Sequence, residues 1–101
     1  MAHNINTNPI VIDPAVLGTV VDYHVDIAGI VVVPEIEIGG TQCILKDANG
    51  GNVIFRYAPY RPVEGDPQAE RTFSIRFVKK IPVSGIYLDS QSAVTQILVY
   101  L

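Results

Sequence analysis

At 101 residues, with a formal net charge of -3, 49% hydrophobic residues and only 17% charged ones, the chain has the length of one domain. That apolar content is more than a small soluble core requires, so part of it is expected to meet other chains. The acidic balance and the scattered lysines and arginines argue against a nucleic-acid or anionic-membrane partner, both of which need clustered basic residues. Cys43 is the single cysteine, which excludes an internal disulfide and any multi-cysteine metal site.

In chain order, residues 1–8 are polar and Asn-rich, without the basic start and apolar run of a signal peptide. They read as an N-terminal arm ahead of a single domain over 9–101. A short strand is predicted at 9–12, ended by Asp13-Pro14. Residues 19–28 alternate most cleanly, with Val21, Tyr23, Val25 and Ile27 on one face and Asp22, His24 and Asp26 on the other. After Gly29, the stretch 30–38 predicts a strand that is wet at one end, where Glu35 and Glu37 lie, and dry at the other, where Val31 and Val33 continue the same face.

Residues 41–46 and 52–57 form a predicted hairpin around Asp47-Ala48-Asn49-Gly50-Gly51, because Asn and Gly tolerate positive φ at little cost. The Pro-rich, charged stretch 58–71 reads as a long surface loop. Strands follow at 72–78 and 84–88, then a turn at Asp89-Ser90-Gln91-Ser92. The last strand, 93–101, places Ile97, Val99 and Leu101 on one face and Leu98 and Tyr100 on the other, which predicts burial on both sides and a tied-down end. With helical spacing nearly absent, these short strands predict an all-β fold, an antiparallel β-sandwich or jelly-roll-like barrel of about eight strands.

The candidate chemistry is sparse. Asp22, His24 and Asp26 have the residue types of a divalent-metal site, but Cβ atoms ~7 Å apart along a strand would have to converge, so a solvated face is the better reading. Asp47, Asn49 and Asn52 lack the regular carboxylates and closing Glu of a calcium loop. Glu35 and Glu37 are neighbours on one strand face, not an acid and nucleophile ~5–9 Å apart across a cleft. Gly39-Gly40 is not followed by the Lys-Ser/Thr of a phosphate loop. Cys43, without a nearby His, reads as a small buried hydrophobe. No catalytic residue, metal or cofactor is expected. Tyr57, Tyr60 and Tyr87, with Arg56 and Arg61, read either as an aromatic and guanidinium surface on or beside the long loop or, equally, as ordinary core edges and surface charges.

The opening Met1-Ala2-His3-Asn4-Ile5-Asn6-Thr7-Asn8-Pro9-Ile10-Val11-Ile12-Asp13 resembles the start of a group of roughly hundred-residue tailed-bacteriophage proteins, Met-Ala-x-Asn-Ile-x-Thr-Asn-Pro-Ile-x-Ile-Asp. The hairpin Lys46-Asp47-Ala48-Asn49-Gly50-Gly51-Asn52-Val53-Ile54, the stretch Ile81-Pro82-Val83-Ser84-Gly85-Ile86-Tyr87 and the ending Val99-Tyr100-Leu101 are similar too. The resemblance covers both ends and the central hairpin, whereas Val31-Val32-Val33 and the loop from Pro59 to Pro67 depart from it.

The resemblance implies a small, non-enzymatic virion protein, most simply a capsid decoration or cement protein on the outer head shell. It would be made in the host bacterial cytoplasm, with the major capsid protein and copies of itself, in a symmetric oligomer such as a trimer, as partners. A tail, baseplate or head-tail connector position is the alternative; a carbohydrate-binding sandwich using Tyr57, Tyr60 and Tyr87 is a third. Interface residues are expected in the arm (Asn4, Ile5, Asn6 and Asn8) and at the dry strand end (Val31 and Val33). Others are expected beside the loop (Tyr57, Tyr60 and Arg61) and in the last strand (Tyr100 and Leu101), where unpaired strands invite β-augmentation.

Overall fold

The computed structural model describes residues 3–34, 42–57, 72–92 and 94–101. The expectations for Glu35, Glu37, Gly39-Gly40, Tyr60, Arg61 and the 58–71 loop therefore lie outside the described residues.

Among the described residues, eight antiparallel strands form two four-stranded sheets. Sheet A has the order β1-β8-β3-β6, built from β1 (Ile10–Ile12), β8 (Val94–Tyr100), β3 (Val25–Pro34) and β6 (Phe73–Val83). Sheet B has the order β2-β7-β4-β5, from β2 (Gly18–Val21), β7 (Ile86–Ser92), β4 (Gln42–Lys46) and β5 (Val53–Tyr57). Apart from the β4-β5 hairpin, neighbours in sequence are not neighbours in a sheet. This order is that of a jelly roll, in which the chain crosses repeatedly from one sheet to the other.

The period-two pattern of β-branched residues explains the core. In sheet A the cross-strand row Ile10, Val99, Ile30 and Ile75 and the row Ile12, Ile97, Val32 and Phe73 point at sheet B. Val20, Cys43, Leu45, Ile86 and Leu88 complete the core from sheet B. One flank is closed by aromatic rings, with Phe73 of β6 against Tyr57 at 4.8 Å and Phe55 at 6.1 Å between centroids. Tilted contacts at these separations are favourable. The hairpin at 47–51 forms as its residue types require: Gly50 has φ 74°, and Asp47 accepts a hydrogen bond from the Asn52 N–H at 2.9 Å.

Several sequence expectations are corrected. The strand expected over 19–28 is broken at Asp22-Tyr23-His24, because there the chain leaves sheet B for sheet A; Tyr23 is consequently 50% exposed, not in the core with Val25 and Ile27. Gly29, expected as a break, lies inside β3. The turn expected at 89–92 is strand: Gln42, Cys43 and Ile44 pair with Ser92, Gln91 and Ser90, so ladder hydrogen bonds to β4 override the polar composition. β6 likewise runs through Pro82 to Val83, on the outside edge of its sheet, where a missing N–H is tolerated.

β8 is central, between β1 and β3, but only one of its faces is dry. Ile97 and Val99 are fully buried, whereas Leu98 is half-buried and Tyr100 is 40% exposed, so the expectation of burial on both faces does not hold within this chain. A sheet covered on one side only leaves the other side of its central strand open.

The segment expected as an arm lies, over His3–Asn8, back against the domain. Asn4 and Val11 exchange backbone hydrogen bonds of 2.8 and 2.9 Å, and Ile5 packs partly buried against the core. Asp13 N–H donates to His3 Nδ1 at 2.9 Å. Asn8 clasps the end of β8: its Nδ2 donates to the Leu101 carbonyl at 3.2 Å and its Oδ1 accepts from the Leu101 N–H at 3.0 Å.

Candidate interaction face on sheet A

The outer side of sheet A carries an apolar row formed across the strands by Val11, Leu98 and Val31, ending at Ser74 on the β6 edge. The next row is Tyr100, Gly29 and Arg76. Val33 pairs with Gln96 in a third row. The first three apolar residues are half-buried, and among the described residues no third sheet packs over them. Such a face differs from sheet B, whose outer side includes Thr19, Tyr87 and Lys46 in register and the Lys46–Asp89 ion pair at 3.4 Å.

Gly29 shapes this face. A Cβ at Gly29 would come within 2.8 Å of the Ile75 carbonyl oxygen, so β6 approaches β3 this closely only because the side chain is missing. Beyond Gly29 the ladder is interrupted: Ile27 pairs with Ile81 and Gly29 with Arg76, so that Ala28 alone faces Phe77, Val78, Lys79 and Lys80. The surplus residues leave the sheet plane as a bulge, which leaves Val78 fully exposed. Between this bulge and the end of β8 lies an open groove of about 490 Å³, with Gly29 and Val31 at its floor and Arg76, Lys80, Tyr100 and Leu101 around it.

The expected interface residues divide accordingly. The structure brings Val31, Tyr100 and Leu101 to the groove, places Val33 on the same face, and joins Asn8 to Leu101 and Asn4 to the β1 edge. Asn6 is exposed, with its N–H directed at Asn4 Oδ1 at 3.3 Å, while Ile5 points inward. Tyr57 and Tyr87 both lie on sheet B, but Tyr57 is in register with the buried Cys43 and is half-buried against Phe73, whereas Tyr87 is in register with Lys46 on the outer side. The two tyrosines expected to share a surface are thus on opposite faces of one sheet. Arg76, Lys80 and Gly29 were not expected here; the signal for them was the loss of alternation at Val78-Lys79-Lys80, which marks a bulge as well as a strand end.

The acidic trio forms no metal cage. His24 Nε2 and Asp26 Oδ1 are 2.9 Å apart on the surface, and among the described residues no group of three or more His, Cys, Asp or Glu side chains is placed to hold an ion.

Cys43 is a core residue, as its setting in the sequence suggests. Burial pushes its thiol up from 9.0 to about 11, against a smaller lowering effect of a backbone hydrogen bond from Tyr57. The folded thiol stays neutral while the unfolded one ionises near its ordinary value, so its contribution is intact below pH 9.0 and declines as pH rises towards about 11. The expected loss is on the order of 3 kcal/mol at most. Urea unfolding of the wild type and Cys43→Ala from pH 8 to 10.5 should show the wild type losing more stability than the variant. Parallel curves would contradict a buried thiol.

The fold and this face define an all-β jelly-roll domain with one polar and one apolar outer surface. Comparison with known proteins adds no relative: no family model, curated protein or solved structure matches the chain.

Proposed function

We propose that the chain is a non-enzymatic structural protein of a tailed-bacteriophage virion, a decoration protein that binds the outside of the head shell and stabilises it. The observation that carries this reading is the half-buried apolar row Val11, Leu98 and Val31 beside Tyr100, on the outer side of a jelly roll. Burying such a row against a neighbour is worth roughly 25 cal/mol per Å² of apolar surface removed from water. Jelly rolls recur in viral capsid domains, and the opening residues resemble those of small phage proteins; both support the reading, although the fold also serves unrelated functions. The partners are the major capsid protein and further copies of this chain.

A tail, baseplate or connector position uses the same surface with a different symmetry. The carbohydrate-binding alternative is less favoured, because Tyr57 and Tyr87 do not form one platform. Electron microscopy of purified particles, with the density for this chain located and counted, tests the address. Copies on the order of hundreds, on the shell, are expected; roughly six or twelve, on the tail axis, would overturn decoration in favour of the alternative.

A further inference from the structure

We propose that the groove beside Gly29 is a docking site for an acidic, extended peptide segment of a partner protein. The inference stands apart from the virion reading, since the groove selects a chemistry and not an assembly.

Charge is the first argument. The chain carries a net charge of -3, yet Arg76, Lys79 and Lys80 are gathered on one edge of sheet A, and among the described residues no Asp or Glu lines the groove. Lys46 is tied to Asp89, but among the described residues none of Arg76, Lys79 and Lys80 forms an ion pair. Asp26 of β3, opposite Pro82, is 2.9 Å from His24 Nε2, and three exposed cations that form no ion pair repel one another and favour an anionic occupant.

Shape is the second. The missing side chain at Gly29 leaves the floor low between Tyr100 and Arg76, and the groove of about 490 Å³ falls within the range of ligand-binding clefts. It is open along its length, and β6 is an edge strand with no neighbour on its outer side among the described strands. An extended segment fits this arrangement. Its alternate side chains, ~6.8 Å apart, divide between the apolar floor of Val31 with the Tyr100 ring and the basic wall, where a carboxylate can meet the Arg76 guanidinium in two parallel hydrogen bonds. Tyr and Arg are also the residue types that most often dominate interface energetics.

A second copy of β6 is the weaker occupant. Antiparallel self-pairing centred on Val78 sets Arg76 opposite the copy's Lys80, and like charges directly opposite destabilise a strand pair.

The test uses the full chain and an acetylated, amidated Glu-Val-Glu-Val-Glu peptide, with its Gln-Val-Gln-Val-Gln counterpart as control. Titration followed by amide chemical shifts is expected to show saturable binding of the acidic peptide, with changes centred on Gly29, Val31, Arg76 and Tyr100. Binding should weaken at least tenfold for the Gln peptide and for the Arg76→Glu/Lys80→Glu variant, and fall with added salt. Both substitutions are at exposed positions, and circular dichroism checks that the variant is folded. No binding, changes mapping to another face, equal binding of the Gln peptide, or an unweakened double variant would each overturn the proposal. So would tighter binding of a heparin oligosaccharide or single-stranded DNA than of the peptide, since the site would then select polyanions and not a peptide.

Discussion

Replacing Ile97 by alanine is expected to lower stability by about 3–4 kcal/mol, whereas the same replacement at its neighbour Leu98 should cost no more than about 1 kcal/mol. Ile97 is fully buried in the row Ile12, Ile97, Val32 and Phe73, and its neighbours are held by ladders on both sides of β8, so a cavity left there cannot collapse easily. Leu98 points to the other side, where it is half-buried in the row with Val11 and Val31 and no third sheet packs over it among the described residues. In a domain of this length the first loss corresponds to a fall in Tm of roughly 15–25 °C.

Urea unfolding of the two variants reads the contrast directly. Equal losses would mean that β8 is covered on both faces. If the outer face meets the shell as proposed, Leu98→Ala should instead lower particle binding while leaving the isolated domain almost as stable as the wild type.

Removal of residues 1–8 is the second large effect, expected to cost about 2–4 kcal/mol while leaving a folded domain. The deletion takes away the Asn4–Val11 backbone pair, the His3 acceptor of the Asp13 N–H, the apolar contact of Ile5 and the Asn8 clasp on Leu101. These hydrogen bonds are partly exposed, so each contributes near the lower end of the usual range. The strands begin at Ile10, so the jelly roll itself remains. Asn8→Ala should reproduce only part of the loss, about 1 kcal/mol, because it removes the clasp alone.

Thermal melts of the three proteins check this order. Unchanged melting of the shortened chain would mean that the 3–8 segment is not docked in solution. The result also bears on any binding assay with the deletion: reduced binding to particles identifies the segment as a contact only at temperatures well below the shortened chain's transition. Without that control, a loss of stability and a loss of contact would look the same.

How much was legible beforehand depends on what each residue answers to. The β-branched residues of 30–33 and 94–99, and the Asn and Gly of the 47–51 hairpin, express local rules, and they specify strands and a turn wherever the chain is placed. The predicted turn at 89–92 failed for a different reason. Ser90, Gln91 and Ser92 are poor strand formers, but β4 offers them ladder partners that no local pattern could reveal. Tyr23 was misplaced for a related reason, since the alternation from Val21 to Ile27 runs straight through the point at which the chain changes sheets.

By itself the sequence therefore determined the class of fold, most of the strand-forming segments and Cys43 as a core residue, because hydrophobic period and turn chemistry are short-range. Tertiary structure alone decided which apolar face of β8 is dry, that Asn8 reaches Leu101, and that Gly29, Arg76, Lys80 and Tyr100 surround one groove. These outcomes depend on strand order and register. Residues far apart in the chain become neighbours only when the sheets are assembled, and the physical choice between core and surface is made by what the opposite sheet covers.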